Sequence, residues 1–505
     1  MGKKTKILLL TPNLKGIKNG LNRIQPGLGI GYLGAVLREA GHEVHIRDTA
    51  LEGYNREEII DEKMILIGES DDTIASYISN LNPDIIGISI LFSNLIDHAH
   101  TLAKIAKEVN PKIKVILGGN HISNAANDYL YALKNPNLGL PETFTDMEDK
   151  NIDFAMRGEA EYPFLDLVNC LSNRQDPKDI FGLIYYKNNE LYINSPPPRE
   201  VLNRIPFPAR DLMNMEGYFK IGLFHSGKSR SERVLNVMAS RGCPEKCTFC
   251  TTPQMWGGNV RWRTPQNIYE EIKDGIEKYN IGEVQFEDDT LTLNRKNLLE
   301  LCELIGPLDI QWCTPNGTKA NYHKGGNKQY KMYQAMANSG CYQVTIACES
   351  GVQRVLNDII NKNLKIEEIL PSIENAKKAG LFVHTFWIVG YPGETRAEME
   401  KTIELASRTG ADSFSVAILS PLPGTPIYRQ VMKENLWWDD RRKAKDLIYR
   451  NSLIQVDGFD NPSQFEHWVE EKTLYLNTLL QKRDVDKFNE HYKSNSGSRF
   501  LHKQT

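Results

Sequence analysis

Arg241-Gly242-Cys243-Pro244-Glu245-Lys246-Cys247-Thr248-Phe249-Cys250 stands directly behind a short apolar run, residues 234–238, that reads as a β-strand. Three residues and then two separate its thiols, a spacing that can wrap one tight loop around a single iron–sulfur cube. Three cysteines rather than four leave one iron without a protein ligand. An open metal position is where chemistry can happen, as it is at a catalytic zinc. A zinc knuckle would want a fourth Cys or His close by. None lies between Cys250 and Cys302, and the nearest upstream histidine is His225. Three buried thiols with no metal are the remaining alternative.

Outward from this loop the chain alternates strand and helix signals. Residues 234–238, 283–287, 310–313, 342–347, 382–388 and 413–418 are strand candidates with helices between them. The first helix is well marked: Thr264 can cap it, Pro265 suits its first turn, and Ile268, Ile272 and Ile276 form a stripe. Six strand–helix units predict an incomplete parallel barrel with its site at the C-terminal mouth. Upstream, residues 6–10, 43–47, 84–91, 114–117 and 155–157 read as further strands. Between the first two, Ile30, Leu33, Val36, Leu37 and Ala40 share one helical face that Gly41 ends. This alternation predicts a doubly wound parallel sheet, which binds ligands beyond the C-terminal ends of its strands.

The expected organisation is therefore α/β. A Rossmann-like domain covers 1–170, and a hairpin and linker cover 171–232, with Asn188-Asn189 as the turn and prolines at 196–198, 206 and 208. A partial (β/α)6 barrel covers 233–430. A small, mostly helical segment covers 431–505, its tail from 494 onward expected to be disordered.

A length of 505 residues calls for two or three domains. Charged residues make up 25% and the net charge is −3, which gives no reason to expect nucleic acid or another polyanion as partner. No run of eighteen apolar residues predicts a membrane span. The start, Met1-Gly2-Lys3-Lys4-Thr5-Lys6, leads into a strand without a cleavage site, so no secretory signal is expected, and Lys3 and Lys4 argue against myristoylation. Three of eight cysteines crowd into one segment while Cys170, Cys302, Cys313, Cys341 and Cys348 are scattered. That usage fits a reducing cytoplasm and a metal site, not a disulfide framework.

The Cys-x3-Cys-x2-Cys spacing, with Phe249 before the last cysteine, resembles the radical S-adenosylmethionine (SAM) superfamily. Downstream segments continue the resemblance in order at strand ends: Phe286-Glu287-Asp288-Asp289-Thr290, Ala347-Cys348-Glu349-Ser350-Gly351, Val389-Gly390-Tyr391-Pro392-Gly393-Glu394 and Pro421-Leu422-Pro423-Gly424-Thr425-Pro426. The resemblance implies a 4Fe-4S cluster on Cys243, Cys247 and Cys250 whose free iron chelates SAM. It further implies that Asp288 or Asp289 meets substrate or the methionyl ammonium, and that Glu349 and Ser350 accept from ribose or the ammonium. Gly390 and Gly393 would let backbone approach the adenine. Helix capping or solvation is the bland alternative for Asp289 and Thr290.

The first domain is similar to cobalamin-binding domains. Ser89-Ile90-Leu91 closes its third strand candidate and Gly118-Gly119 its fourth. Small residues at strand ends let a corrin ring and its nucleotide tail lie against backbone. The run from Pro26 through Gly29 to Leu33, and Met156-Arg157-Gly158-Glu159, look like the cobalamin-binding radical SAM class. One departure stands out. With Gly29 on the glycine of the Asp-x-His-x-x-Gly motif, the cobalt-ligating histidine falls on Pro26 and the aspartate on Ile24. His42, His45, His98, His100 and His121 are near in sequence, but none completes the motif. The resulting expectation is base-off cobalamin whose lower face meets Leu91, Phe92 and Ser93, with His121 the nearest alternative ligand. A plain nucleotide-binding domain is the competing reading, with Asp48 as its ribose-binding acid.

Together these features resemble the class B radical SAM methyltransferases. In that class the adenosyl radical takes hydrogen from an unactivated substrate carbon, which then collects methyl from methylcobalamin. The resemblance implies a small-molecule or natural-product substrate and an electron donor such as flavodoxin or ferredoxin. Non-methylating ring contraction or oxidative cyclisation by the same cofactors is the leading alternative. A non-catalytic cobalamin sensor would not need the three cysteines, and a methylthiotransferase would want more N-terminal cysteines than Cys170. Trp437, Trp438, Tyr449, Trp468 and Tyr475 either cover the barrel mouth or fill a core.

Overall fold

The computed structural model describes residues 4–136, 148–188, 190–438 and 450–483. The first sheet has seven strands. Glu43–Asp48, Lys6–Thr11, Ile85–Ser89, Lys114–Gly118 and Phe154–Met156 lie side by side in that order, all parallel. Chain order therefore reverses between Lys6–Thr11 and Ile85–Ser89, which places the ligand crevice of such a sheet at their C-terminal ends. Apolar side chains cover both faces. Ile7, Leu9, Leu37, Phe164 and Leu167 form one core, and Leu8, Leu10, Ile86, Leu102 and Leu117 the other.

The hairpin expected in the linker instead extends this sheet. Leu183–Lys187 and Glu190–Ile193 pair with each other and, antiparallel, with Phe154–Met156. Asn188 at its turn has φ +53°, a conformation asparagine tolerates better than most residues. A three-stranded antiparallel sheet of Leu14–Ile17, Met64–Ile67 and Glu57–Ile59 is an addition that the sequence pattern did not disclose.

The barrel follows expectation closely. Val234–Val237, Glu283–Phe286, Gln311–Thr318, Cys341–Glu349, Phe382–Val389 and Ser413–Ile418 pair in chain order, all parallel. Thr264 caps the helix Pro265–Tyr279 by accepting from the Asn267 N–H. Phe286 and Trp312 meet edge to face at 5.4 Å in the layer between strands and helices.

The helix Pro462–Arg483 lies along Ser413–Ile418 and places Phe465, Trp468 and Leu476 in the barrel's core. Trp437 is buried as well, while Tyr475 is exposed. The buried tryptophans thus serve packing. Tyr449 and the tail from 494 lie outside the described residues. Among the described residues, no helix is long and apolar enough to cross a membrane.

The first domain and the barrel are tied together by bonds from the first barrel strand and from the helix Asn120–Lys134. The Asn236 amide donates to the Pro26 carbonyl at 2.7 Å. Asp128 accepts from the Gly424 N–H and from Arg429 Nε, the latter at 2.9 Å.

Candidate active site

The cysteine loop is suspended at the barrel mouth by backbone bonds. Gly242, with φ +107°, opens it, and an L side chain there would be strained. The Thr248 N–H donates to the Ile360 carbonyl at 2.9 Å, its hydroxyl to the Ile359 carbonyl at 2.7 Å, and the Ile427 N–H to the Thr248 carbonyl at 3.1 Å. Lys319 pairs with Glu245 at 2.8 Å. Phe249 packs against Tyr391, ring centroids 6.0 Å apart. All three thiols are free and half-buried. Burial pushes Cys243 up to about 11 and Cys247 up to about 12, and raises Cys250 too. Iron would have to displace these protons, since thiolate is the ligating form. Among the described residues, no three His, Cys, Asp or Glu converge as a single ion would require. A cube, whose ligands each take a different iron, fits this donor set better than zinc does.

The expected SAM contacts divide. Asp289, next to the loop, accepts from the Thr252 hydroxyl at 2.8 Å. Asp288 is buried and accepts from the Ala239 N–H at 2.9 Å and the Ser240 hydroxyl at 2.5 Å. Burial pushes it up to about 7. It therefore fixes the chain entering the cysteine loop. Ser350 is fully buried, facing Thr402 Oγ1 at 3.2 Å and accepting from the Val352 N–H, so it shapes its turn. Glu349, at φ +64°, pairs with Lys362 at 2.8 Å. Lys362 is a buried site residue that the sequence reading missed; nothing in Asn361-Lys362-Asn363 distinguishes it from a surface lysine.

Gly390 and Gly393 have φ of +87° and +78°. A Cβ on Gly390 would meet the Phe465 ring at 2.7 Å, whereas one on Gly393 meets nothing within 4 Å. Glu394, which the sequence marks only as the end of this segment, accepts from the Gly390 and Tyr391 N–H groups through Oε2. Its Oε1 and the Tyr391 hydroxyl are buried and find no hydrogen-bond partner among the described residues. Unmatched buried polar atoms are costly, and beside the cysteine loop they fit a polar ligand such as SAM.

In the first domain, Leu91 and Phe92 are 56% and 58% exposed on the loop after Ile85–Ser89. Ser89 pairs with Gly118, where an added Cβ would meet only the Met156 carbonyl, at 3.9 Å. Gly29 is likewise open. An apolar ledge beside an open glycine edge suits a corrin. Gly119 differs: at φ +98° its Cβ would stand 2.6 Å from the Ile90 carbonyl, so close packing demands glycine there.

Pro26 is buried and Ser93 Oγ lies 2.9 Å from His121 Nδ1. His121 itself is 1% exposed. His98 accepts from the Asn13 N–H, and burial pulls it down to about 4. Glu159, expected among the cobalamin contacts, is instead surrounded by Arg199, Arg241 and Arg261. Asp48 caps the helix Thr49–Glu52 and accepts from the Tyr218 hydroxyl at 2.6 Å, so it does not act as a ribose acid.

Residues 237–406 match the Radical SAM superfamily and residues 20–135 the B12 binding domain. A cytidylyl-2-hydroxyethylphosphonate methyltransferase of Streptomyces wedmorensis is 32% identical over 90% of this chain and 86% of its own length. The chain belongs to the cobalamin-dependent radical SAM methyltransferases. An uncharacterized methyltransferase of Pyrococcus horikoshii is also 32% identical, over 85% of this chain and 83% of its own. Two solved structures share the fold of this methyltransferase. The radical SAM enzyme OxsB with aqua-cobalamin and SAM bound has TM-score 0.70 at 16% identity, covering 97% of this chain and 72% of its own. TsrM from Kitasatospora setae, with cobalamin and a 4Fe-4S cluster bound, has TM-score 0.63 at 15% identity, covering 84% and 77%. The methyltransferase uses a 4Fe-4S cluster, SAM and cobalamin. Together these supply a 5′-deoxyadenosyl radical to take hydrogen from an unactivated carbon and a cobalt-borne methyl group to replace it.

Proposed function

We propose that Cys243, Cys247 and Cys250 hold the cluster, and that SAM lies between this loop and the strand ends at Asp289, Glu349 and Gly390–Gly393. Leu91, Phe92 and Ser93 would carry the lower face of cobalamin, and the strand ends at Ser89, Gly118 and Gly119 would take its tail; Pro26 stands where a cobalt-ligating histidine would be expected. The observation that carries this arrangement is the set of three free, half-buried thiols in one barrel loop, in a barrel tied to the first domain through Pro26–Asn236 and Asp128–Gly424.

This chain's own residues do three things here. The loop bonds from Thr248 and Ile427 fix where the cluster stands, and Asp288 fixes the approach to it. Phe249 and Tyr391 close the cluster's flank with apolar surface, which keeps water from the reacting carbon. The carboxylates of Asp289 and Glu349 orient a ligand ammonium or hydroxyl by charge-assisted bonds.

The substrate is a small organic molecule entering between the domains, and a flavodoxin or ferredoxin in the cytoplasm supplies electrons. A named relative acts on cytidylyl-2-hydroxyethylphosphonate, and TsrM has been seen with tryptophan. Both serve as first probes. Anaerobic turnover of the loaded enzyme with each, counting products, tests the reading. Methylation releases 5′-deoxyadenosine and S-adenosylhomocysteine in step with methylated product. A substrate that yields 5′-deoxyadenosine and a cyclised product without S-adenosylhomocysteine would overturn it.

A further inference from the structure

Where Glu159 leaves the first sheet, three arginines converge on it, Arg241 and Arg261 from the barrel domain and Arg199 from the connector. Arg241 Nη1 lies 2.9 Å from its Oε2, Arg199 Nη1 lies 3.1 Å from its Oε1, and Arg261 contacts both oxygens. Glu161, two residues on, takes the other nitrogen of Arg241 at 2.6 Å. The side chains of Glu159, Glu161 and Arg241 are 4%, 8% and 5% exposed, so water screens little of this interaction. The Arg241 guanidinium also lies 5.1 Å from the Tyr32 ring of the first domain and 5.1 Å from the Trp256 ring of the barrel domain.

Arg241 is two residues ahead of Cys243, with only Gly242 between. Ser240–Arg241 pairs antiparallel with Arg261–Trp262, so two of the three arginines sit opposite one another on one short ribbon. Glu159 thus grips both strands of the ribbon that delivers the cysteine loop. Arg199, from the connector, also donates to the Met255 carbonyl at 3.3 Å, behind the same loop.

Resting on the cofactor placement proposed above, we infer that Glu159 is a positioning residue: through Arg241 and Arg261 it sets the cysteine loop at a fixed distance and orientation from the cobalamin domain. Cobalt and cluster must face one substrate carbon in turn, so their separation is a quantity the reaction depends on. A seam without this carboxylate would leave buried Arg241 with Glu161, and would take from half-buried Arg261 and the more exposed Arg199 the carboxylate that holds these three arginines together. Their repulsion would let the ribbon shift relative to the first sheet while each domain keeps its own core.

The test uses the enzyme loaded with cluster and cobalamin. With the cluster reduced and cobalt as cob(II)alamin, the dipolar coupling between the two spins reports their separation by pulsed electron paramagnetic resonance. Wild type is expected to give one narrow distance. Glu159→Gln is expected to retain iron and cobalamin content within about 20% of wild type, yet to broaden that distance at least twofold, and Glu159→Asp to restore it in part. Arg241→Lys, which keeps the charge but loses the bidentate fork, reaches the same contact from the other side should Glu159→Gln not fold. A narrow, unshifted distance in whichever of these variants loads both cofactors would overturn the inference. Loss of iron in the cysteine variants, or of cobalamin in Gly118→Leu, tests the cofactor placement separately and leaves this comparison intact.

Discussion

Lys362 Nζ and Glu349 Oε1 form an ion pair 2.8 Å apart, with the two side chains 6% and 7% exposed, at the end of the fourth barrel strand. Removing one member strands the other in a medium that cannot solvate it, which costs about 3–5 kcal/mol. Lys362→Ala is therefore expected to lower the melting temperature by several degrees. Lys362→Ala combined with Glu349→Gln should recover much of that loss. Scanning calorimetry of the two variants checks this, and equal melting temperatures for Lys362→Ala and wild type would count against it.

The three loop thiols should be indispensable while a core thiol is not. Cys243→Ala, Cys247→Ala and Cys250→Ala are each expected to abolish reductive SAM cleavage. Wild type, reconstituted without oxygen, should bind about four irons per chain. Cys302 lies on the helix Arg295–Ile305 and is 5% exposed, so Cys302→Ala should cost about 1 kcal/mol of stability and leave cleavage intact. Iron analysis and chromatography of 5′-deoxyadenosine measure both.

Adjacent glycines should respond oppositely to substitution. Gly118 has open space and ordinary backbone angles, so Gly118→Leu should fold with a near-normal melting temperature but lose cobalamin. Ser89→Trp should do the same. Gly119→Ala should fail earlier, in folding, because its Cβ would press on the Ile90 backbone at a positive φ. Ultraviolet–visible titration with hydroxocobalamin, beside thermal melts, separates the two outcomes.

Cobalt should lack a lower protein ligand. Pro26 has no donor nitrogen, and His121 is buried with Nδ1 against Ser93. The cob(II)alamin spectrum is expected to show no nitrogen superhyperfine splitting from the lower face. Its presence in wild type, and its loss in His121→Ala, would reverse this prediction.

Burial pushes Asp128 up to about 6, despite the opposing bonds from the Gly424 N–H and Arg429. The folded chain then holds this proton at pH values where the unfolded chain has released it. The stabilisation is complete below about pH 4 and is lost as pH rises through about 6, at most about 1.4 kcal/mol per pH unit. Asp128→Asn has no such proton. The stability of wild type relative to this variant is expected to fall between pH 5 and 6 by about 1 kcal/mol and to level off above pH 7. Denaturant melts at those pH values supply the test.

The barrel was readable because its strands recur between helices and several end at a distinctive segment, as in Glu283–Phe286 before Asp288 and Phe382–Val389 before Gly390. The sheet of Leu14–Ile17, Glu57–Ile59 and Met64–Ile67 was not, because its strands are three or four residues long and Glu57–Ile59 is exposed throughout. At the site, the spacing of the cysteines marked the loop. Roles that depend on which way a carboxylate turns were beyond the sequence. Asp288 and Asp289 are neighbours, yet one holds backbone and the other faces the Thr252 hydroxyl. Glu159 stands out in sequence through the resemblance of Met156–Glu159 to the cobalamin-binding radical SAM class, and only the fold shows three arginines arriving from as far along the chain as Arg261.

The strict chain order of barrel pairing has a consequence for biosynthesis. Every strand of the seven-stranded sheet lies before residue 194, and each barrel strand pairs with its immediate predecessor. As the chain leaves the ribosome, the first domain can complete its sheet before Val234 emerges, and the barrel can then zip up strand by strand against a finished template. Arg241 arrives near the start of that second phase, soon enough to dock on Glu159 before most of the barrel exists.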